Sequence, residues 1–216
     1  MDSKVVSKEQ LKDYFYDGMS FMIGGFMANG TPETIVDMIV ESEVKDLTLF
    51  CNDAGFPDKG IGKIIGNGQC KTLYTSHIGL NPYAQKLMND KQMEIVLIPQ
   101  GTLVEQIRAG GSGLGGILTP TGIGTLVAEG KEVINIDGKD YLLEKAFTAD
   151  LAIIHANCSD KLGNSKLLGT SINFNPAMSL AGKTVMVETQ ELVDSLDPNN
   201  VTIPQVVVDY VIKGEQ

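Results

Sequence analysis

The sequence is poor in basic charge, histidine, cysteine and tryptophan, and it has no long apolar run. Lys and Arg total 17 against 27 Asp and Glu, a net charge of −10 at pH 7. That balance leaves no electrostatic footprint for nucleic acid and no polybasic patch for an anionic membrane. No apolar stretch approaches the ~18 residues that cross a bilayer. The opening Met1–Gln10, MDSKVVSKEQ, shows neither an apolar h-region nor a cleavage site. The three cysteines, Cys51, Cys70 and Cys158, are odd in number and too scattered for a metal knuckle, and no histidine pair has zinc-ligand spacing. A reduced, cytoplasmic setting and no metal are expected. With nine Met and no Trp, the core is expected to be aliphatic and adaptable.

Glycine, in contrast, is plentiful. The 216 residues include 24 glycines, more than the average usage of about 7% supplies, and they cluster. Hydrophobic residues at 43% and charged residues at 20% fit a soluble globular chain with a sizeable core. Short aliphatic runs recur at Ser20–Ile23, Leu47–Cys51, Thr72–Thr75, Glu94–Ile98, Glu132–Ile136, Leu151–His155 and Thr184–Glu188. Helix signals lie between several of them. Ser7 to Gln10 has capping-box spacing before Leu11, Tyr14 and Phe15. Thr31 and Asn81 each precede a proline, predicting N-caps with Pro32 and Pro82 at the first helical position. A helix is also expected over Thr102–Ala109, with Leu103 and Ile107 inward.

Strands alternating with helices predict an α/β fold: an open, mainly parallel sheet flanked by helices. The Gly/Thr/Pro-rich section from Gly113 to Asp140 breaks the alternation and predicts extra loops or a small antiparallel flap. No fixed-period repeat or linker divides the chain, so residues 1–216 read as one domain. In such a sheet, ligands sit beyond the carboxyl ends of the strands. There the sequence places Gly24-Gly25-Phe26-Met27-Ala28-Asn29-Gly30, then Asn52-Asp53, Ser76-His77 and Pro99-Gln100-Gly101. In the first loop, glycine permits close backbone approach, and its amides and the following helix N-terminus favour an anion. A tight ligand-free turn is the competing reading.

Other candidates are weaker. Gly111, Gly113 and Gly116 have dinucleotide-fingerprint spacing, but they follow a helix and precede Thr119-Pro120, the wrong context. His155 and Cys158 suggest a base and a nucleophile, against a satisfied strand-end histidine beside a small buried thiol. Glu33 complements its helix dipole. Glu41, Glu43, Asp46, Asp58 and Asp90 are expected to be solvating charge.

The segment Asp17-Gly18-Met19-Ser20-Phe21-Met22-Ile23-Gly24-Gly25-Phe26 through Gly30-Thr31-Pro32 resembles the signature of the family I (3-oxoacid) coenzyme A-transferases. The resemblance continues through Pro99 to Leu103, Arg108 to Gly111, Thr119 to Gly122, Tyr141 to Glu144, Gly163-Asn164 and Asn173 to Pro176. It spans nearly the whole chain in order, and it is to alpha subunits of the acetate and butyrate–acetoacetate type. The resemblance implies the fold shared with ribose-phosphate isomerases. It also implies CoA as substrate carrier, with no permanent cofactor. The implied reaction moves CoA from an acyl-CoA to a free carboxylate by a ping-pong route through glutamyl anhydride and glutamyl-CoA thioester. It places the glutamate on a beta subunit, so this chain is half of a site in a hetero-oligomer. It assigns CoA binding to Gly24, Gly25, Phe26, Met27, Ala28, Asn29 and Gly30, oxyanion support to Gln100 and a ligand contact to Asn52. Asp53 stands where some relatives carry asparagine, and Ile172 where relatives often carry arginine; both leave a contact open. A sugar-phosphate isomerase or a ligand sensor on the same scaffold are the alternatives.

Overall fold

A computed structural model describes residues 2–215. In chain order its elements are α1 (Lys8–Leu11), β1 (Ser20–Ile23), α2 (Glu33–Ser42), β2 (Leu47–Phe50), α3 (Gly62–Gly66), β3 (Cys70–Thr75), α4 (Pro82–Asn89), β4 (Glu94–Leu97), α5 (Gln100–Gly111), β5 (Gly116–Thr119), β6 (Val133–Ile136), β7 (Lys139–Lys145), β8 (Ala149–Asp160), β9 (Ser165–Lys166), α6 (Asn175–Met178), β10 (Gly182–Val193) and β11 (Tyr210–Lys213). The main sheet runs β11-β10-β8-β1-β2-β3-β4 and is parallel along that path, with short β9 antiparallel to β8.

The alternation within β1 builds both cores. Phe21 and Ile23 point to one face, where Leu49, Leu73, Leu151 and Ile153 meet Ile35 and Ile39 of α2 and Ile64 and Ile65 of α3. Met22 points to the other, where Phe50, Ala152, Ile154 and Val187 meet Leu103 and Ile107 of α5 and Met178 of α6. Sheets covered on both faces need strands that are apolar throughout, which is why these segments read as unbroken aliphatic runs. Each fully buried Leu, Ile or Phe contributes roughly 1.5–3 kcal/mol.

The Gly/Thr/Pro-rich section is a flap: a separate antiparallel sheet, β5-β7-β6, that continues to Lys145. The capping-box segment makes only one turn of helix, in which Gln10 accepts the Ser7 N–H at 2.9 Å. The Asn81 cap forms as expected, accepting the Ala84 N–H at 3.1 Å. The Thr31 cap does not form. Helix α2 starts at Glu33 without a side-chain cap, because Thr31 is packed beneath the preceding loop: a Cβ on Gly25 would lie 2.1 Å from its Oγ1. Helix α5 is longer than expected and takes in Gln100 and Gly101 at its start and Gly110 and Gly111 at its end. Those last two glycines serve close packing, since a Cβ on Gly110 would sit 1.8 Å from the Phe147 carbonyl and one on Gly111 2.6 Å from Leu180. Among the described residues, no helix is long and apolar enough to cross a membrane.

Candidate functional site

Strand order reverses around β1, with β2, β3 and β4 to one side and β8, β10 and β11 to the other. A ligand crevice in an open parallel sheet lies at such a switch point, and the glycine loop leaves the sheet there. The loops after β2, β3 and β4 join it on the same rim. Asp53 and His77 form a parallel bridge, with the Ala54 N–H donating to the His77 carbonyl at 2.9 Å.

The loop's main chain is mostly occupied. Gly24 N–H donates to Ile153 O, Gly25 N–H to Asn173 Oδ1, Phe26 N–H to Asn29 O, Met27 N–H to Asp53 Oδ2 and Asn29 N–H to Phe26 O. Among the described residues, only Ala28 and Gly30 keep an amide without an acceptor in this loop. The expected cradle of bare amides is therefore corrected to two amides flanked by side chains. Phe26 and Met27 stand 38% and 40% exposed, pushed outward by a tight turn in which Met27 (φ 49°) and Ala28 (φ 62°) are both left-handed. Left-handed non-glycine residues each cost about 1–2 kcal/mol, and strain of this kind concentrates at functional loops.

The expected anion at the α2 N-terminus is also corrected, because the protein supplies its own. Glu188 of β10 is buried and accepts the Ile35 N–H at 2.9 Å. Burial pushes its carboxyl above the ordinary value, against the opposing pull of the Ile35 and Thr34 donors. Glu33 does more than complement the dipole. It accepts the Gly60 N–H at 2.8 Å and pairs with Lys63 at 2.6 Å, clipping the first loop's helix to the second loop.

That second loop repeats the first. Gly55-Phe56-Pro57-Asp58-Lys59-Gly60 has the Gly-Phe-x-x-x-Gly pattern of Gly25 to Gly30. Both loops close by a bridge between their second and fifth residues, Phe26 with Asn29 and Phe56 with Lys59. Comparing the chain with itself at this one offset finds the pattern, which a search for repeats along the whole chain misses. Between the two loops lies a cavity of about 10 Å³, room for one water at most. A far larger cavity, about 560 Å³, lies between α1 and the end of α2, with Phe15 and Met38 in its wall, and touches no rim residue. Converging polar groups, not volume, mark the site.

Those groups form a chain. Asn52, 2% exposed, donates from Nδ2 to Asp53 Oδ2 at 2.8 Å and accepts Gln100 Nε2 on Oδ1 at 2.6 Å. Its carbonyl takes the Ser76 hydroxyl at 2.6 Å. Gln100 is exposed at the first residue of α5. Asn52, Gln100 and the glycine loop are thus brought together as expected. Asp53, whose contact the sequence leaves open, is a buried acceptor of three hydrogen bonds.

Two residues seen only as motif positions turn out to hold the loop. Asn173 accepts the Gly25 N–H at 3.2 Å and donates to Asn29 O at 3.1 Å. Asn175 donates to Gly30 O at 3.0 Å. Ile172 is 45% exposed in the same turn, so this departure puts an apolar side chain on the surface beside the loop.

The chain's own nucleophile candidates fail. Cys51 adjoins Asn52, but burial pushes its thiol well above the ordinary value. His155 lies within β8, not at its end, and three residues from Cys158, so the two side chains leave opposite faces of the strand. Its Nδ1 is buried without a partner, so the satisfied-histidine reading fails too, and burial lowers its pKa. What this rim offers is oriented amide groups beside a loop.

The Coenzyme A transferase family model matches residues 6–214. The alpha subunit of an acetoacetyl-CoA:acetate/butyrate CoA transferase from Clostridium acetobutylicum is 48% identical over 215 residues, 99% of each chain. The alpha subunit of an acetate CoA-transferase from Escherichia coli is 46% identical over 218 residues, 100% of this chain and 99% of its own. An Escherichia coli acyl-CoA transferase solved as a CoA thioester complex superposes with a TM-score of 0.87 at 23% identity, covering 98% of this chain and 50% of that one. Glutaconate coenzyme A-transferase from Acidaminococcus fermentans gives 0.86 at 19%, with 98% and 75% covered. The two structures support the fold, and the two sequences reach further. Matched from end to end by subunits of one kind, the chain belongs to the coenzyme A transferase family, as one of its alpha subunits.

Proposed function

We propose that this chain is the alpha half of a cytoplasmic short-chain acyl-CoA transferase exchanging CoA among acetyl, butyryl and acetoacetyl groups. The single observation that carries this reading, beyond family membership, is an exposed amide, Gln100, held in a hydrogen-bonded chain on a rim whose own carboxylates, Asp53 and Glu33, are already committed to the loops. The whole chain acts as one domain whose partner, a beta subunit, brings the attacking glutamate.

A carboxylate is a weak nucleophile toward a thioester. Its attack succeeds only where the oxyanion that develops on the thioester carbonyl meets preplaced donors. Gln100 has one Nε2 hydrogen committed to Asn52 and a second to offer that oxygen. The same donor serves each tetrahedral intermediate: anhydride formation, attack of the CoA thiolate to give glutamyl-CoA, and the two reverse steps with the new acid. CoA lies along the glycine loop, against the exposed Phe26 and Met27 and within reach of the Ala28 and Gly30 amides. The saturation of most other loop amides argues against a sugar-phosphate site there.

Co-expression with the beta subunit tests this. The assembled protein should exchange labelled acetate with acetyl-, butyryl- and acetoacetyl-CoA, and the alpha chain alone should not. Gln100→Ala should lower kcat by roughly 100-fold with little change in the KM for acyl-CoA. Robust turnover by the single chain, or an unchanged kcat in that variant, would contradict the assignment.

A further inference from the structure

We propose that Asp53 is a positioning residue that sets the direction of the Asn52–Gln100 amide chain, and so which atoms Gln100 turns toward the reacting centre. The inference rests on the reading of Gln100 given above.

A carboxylate can only accept hydrogen bonds. Asp53 Oδ1 takes the Gly55 N–H at 2.9 Å; Oδ2 takes the Met27 N–H at 2.9 Å and Asn52 Nδ2 at 2.8 Å. Asn52 must therefore turn its nitrogen inward. Its Oδ1 then faces Gln100 and receives Nε2 at 2.6 Å. Gln100 is left with Oε1 and one Nε2 hydrogen to present.

Two amides alone carry no such polarity. Reversed, Asn52 would donate to Gln100 Oε1, and Gln100 Nε2 would move to where Oε1 now stands, carrying its free hydrogens away from the position the present one holds. Asn52 and Asp53 are 2% and 7% exposed, so bulk water cannot replace a lost partner. An asparagine at 53 would meet three donors with a single oxygen. The same carboxylate anchors Met27, so Asp53 also ties the glycine loop to the amide chain.

The test is a double-mutant cycle in the assembled alpha–beta protein: Asp53→Ala, Gln100→Ala and the pair, with kcat and the KM for acetyl-CoA measured for each. Asp53→Ala is expected to lower kcat roughly tenfold or more when Gln100 is present. In the Gln100→Ala background, where Asn52 has no Gln100 amide to direct, it should lower kcat less than about twofold. The KM should rise in both backgrounds, because the Met27 anchor is lost in either. A kcat effect of equal size in both backgrounds, including none, overturns the proposal. Full turnover by Gln100→Ala alone would instead overturn the reading of Gln100. Should Asp53→Ala fail to assemble, Asp53→Asn runs the same cycle under the same criterion.

Discussion

Gly24→Ala is a severe test of how the loop is held. The φ of Gly24 is outside the left-handed region, so the backbone itself would accept alanine. What forbids it is Asn175. A Cβ at position 24 would lie 1.8 Å from Asn175 Oδ1 and 2.5 Å from its Cγ. Asn175 is fully buried. Its Oδ1 accepts the His155 N–H at 3.0 Å, and its Nδ2 donates to Gly30 O at 3.0 Å and Ser171 O at 2.9 Å. It cannot swing aside without stranding some of these backbone groups, at about 1–3 kcal/mol each. Standing still, it faces an overpacking cost of similar size. The expected loss is about 3 kcal/mol, a fall in Tm of roughly 6–12 °C for a chain of this length. Thermal unfolding of the assembled protein reads it. In an Asn175→Ala background the obstacle is gone, and Gly24→Ala should cost less than about 1 kcal/mol. An unchanged Tm, or the same cost in both backgrounds, would show that the loop is not seated on Asn175.

Gly101 presents the opposite case. A Cβ there would meet nothing within 4 Å, and it would enter a cleft of about 350 Å³ between α5 and the flap strand β5. Gly101→Ala should therefore stabilise by up to about 1 kcal/mol while lowering turnover; equal turnover would show that neither ligand nor partner approaches the helix start. At the other end of β1, Asp150 accepts Lys183 at 2.8 Å and the Ser20 hydroxyl at 2.6 Å, which hold its carboxyl at about 2 against an ordinary 3.8. That stability is present above pH 3.8 and drains away as pH falls toward 2. Asp150→Asn should remove it, costing about 1 kcal/mol at neutral pH once the exposure of Lys183 is allowed for. An unchanged acid-unfolding midpoint would refute this. Buried Glu188 has the opposite sign. Its raised carboxyl binds its proton more tightly in the folded chain, so stability declines as pH rises from 4.5 through the folded value. Relative to wild type, Glu188→Gln should therefore gain stability between pH 4 and pH 8, and parallel Tm curves would sink the idea.

The likeness between the two loops is written in the residues, but Gly-Phe-x-x-x-Gly occurs only twice, too few copies to stand out as a repeat. The His155–Cys158 pairing shows the converse error. Two reactive residue types close in sequence suggest a pair, yet strand geometry sends them to opposite faces.

The layered α/β fold, the antiparallel flap and the rim are legible in the residues alone. Apolar runs, the Asn81-Pro82 start signal and glycine punctuation are local, each complete within a few residues. The alternation of strand and helix then dictates that Gly24 to Gly30, Asn52 and Gln100 emerge on one edge. What those groups do there is set by contacts that folding creates. Asn175 lies beneath Gly24, Glu188 occupies the α2 N-terminus and Asp53 orients Asn52 and anchors Met27. The first two of these partners are more than 140 residues distant in sequence. Asp53 has two of its donors, Asn52 and Gly55, beside it in the chain, but the third, Met27, lies 26 residues away in the glycine loop. Hydrogen-bond satisfaction in a buried site depends on which donors and acceptors folding brings within 3 Å, and no local pattern records that.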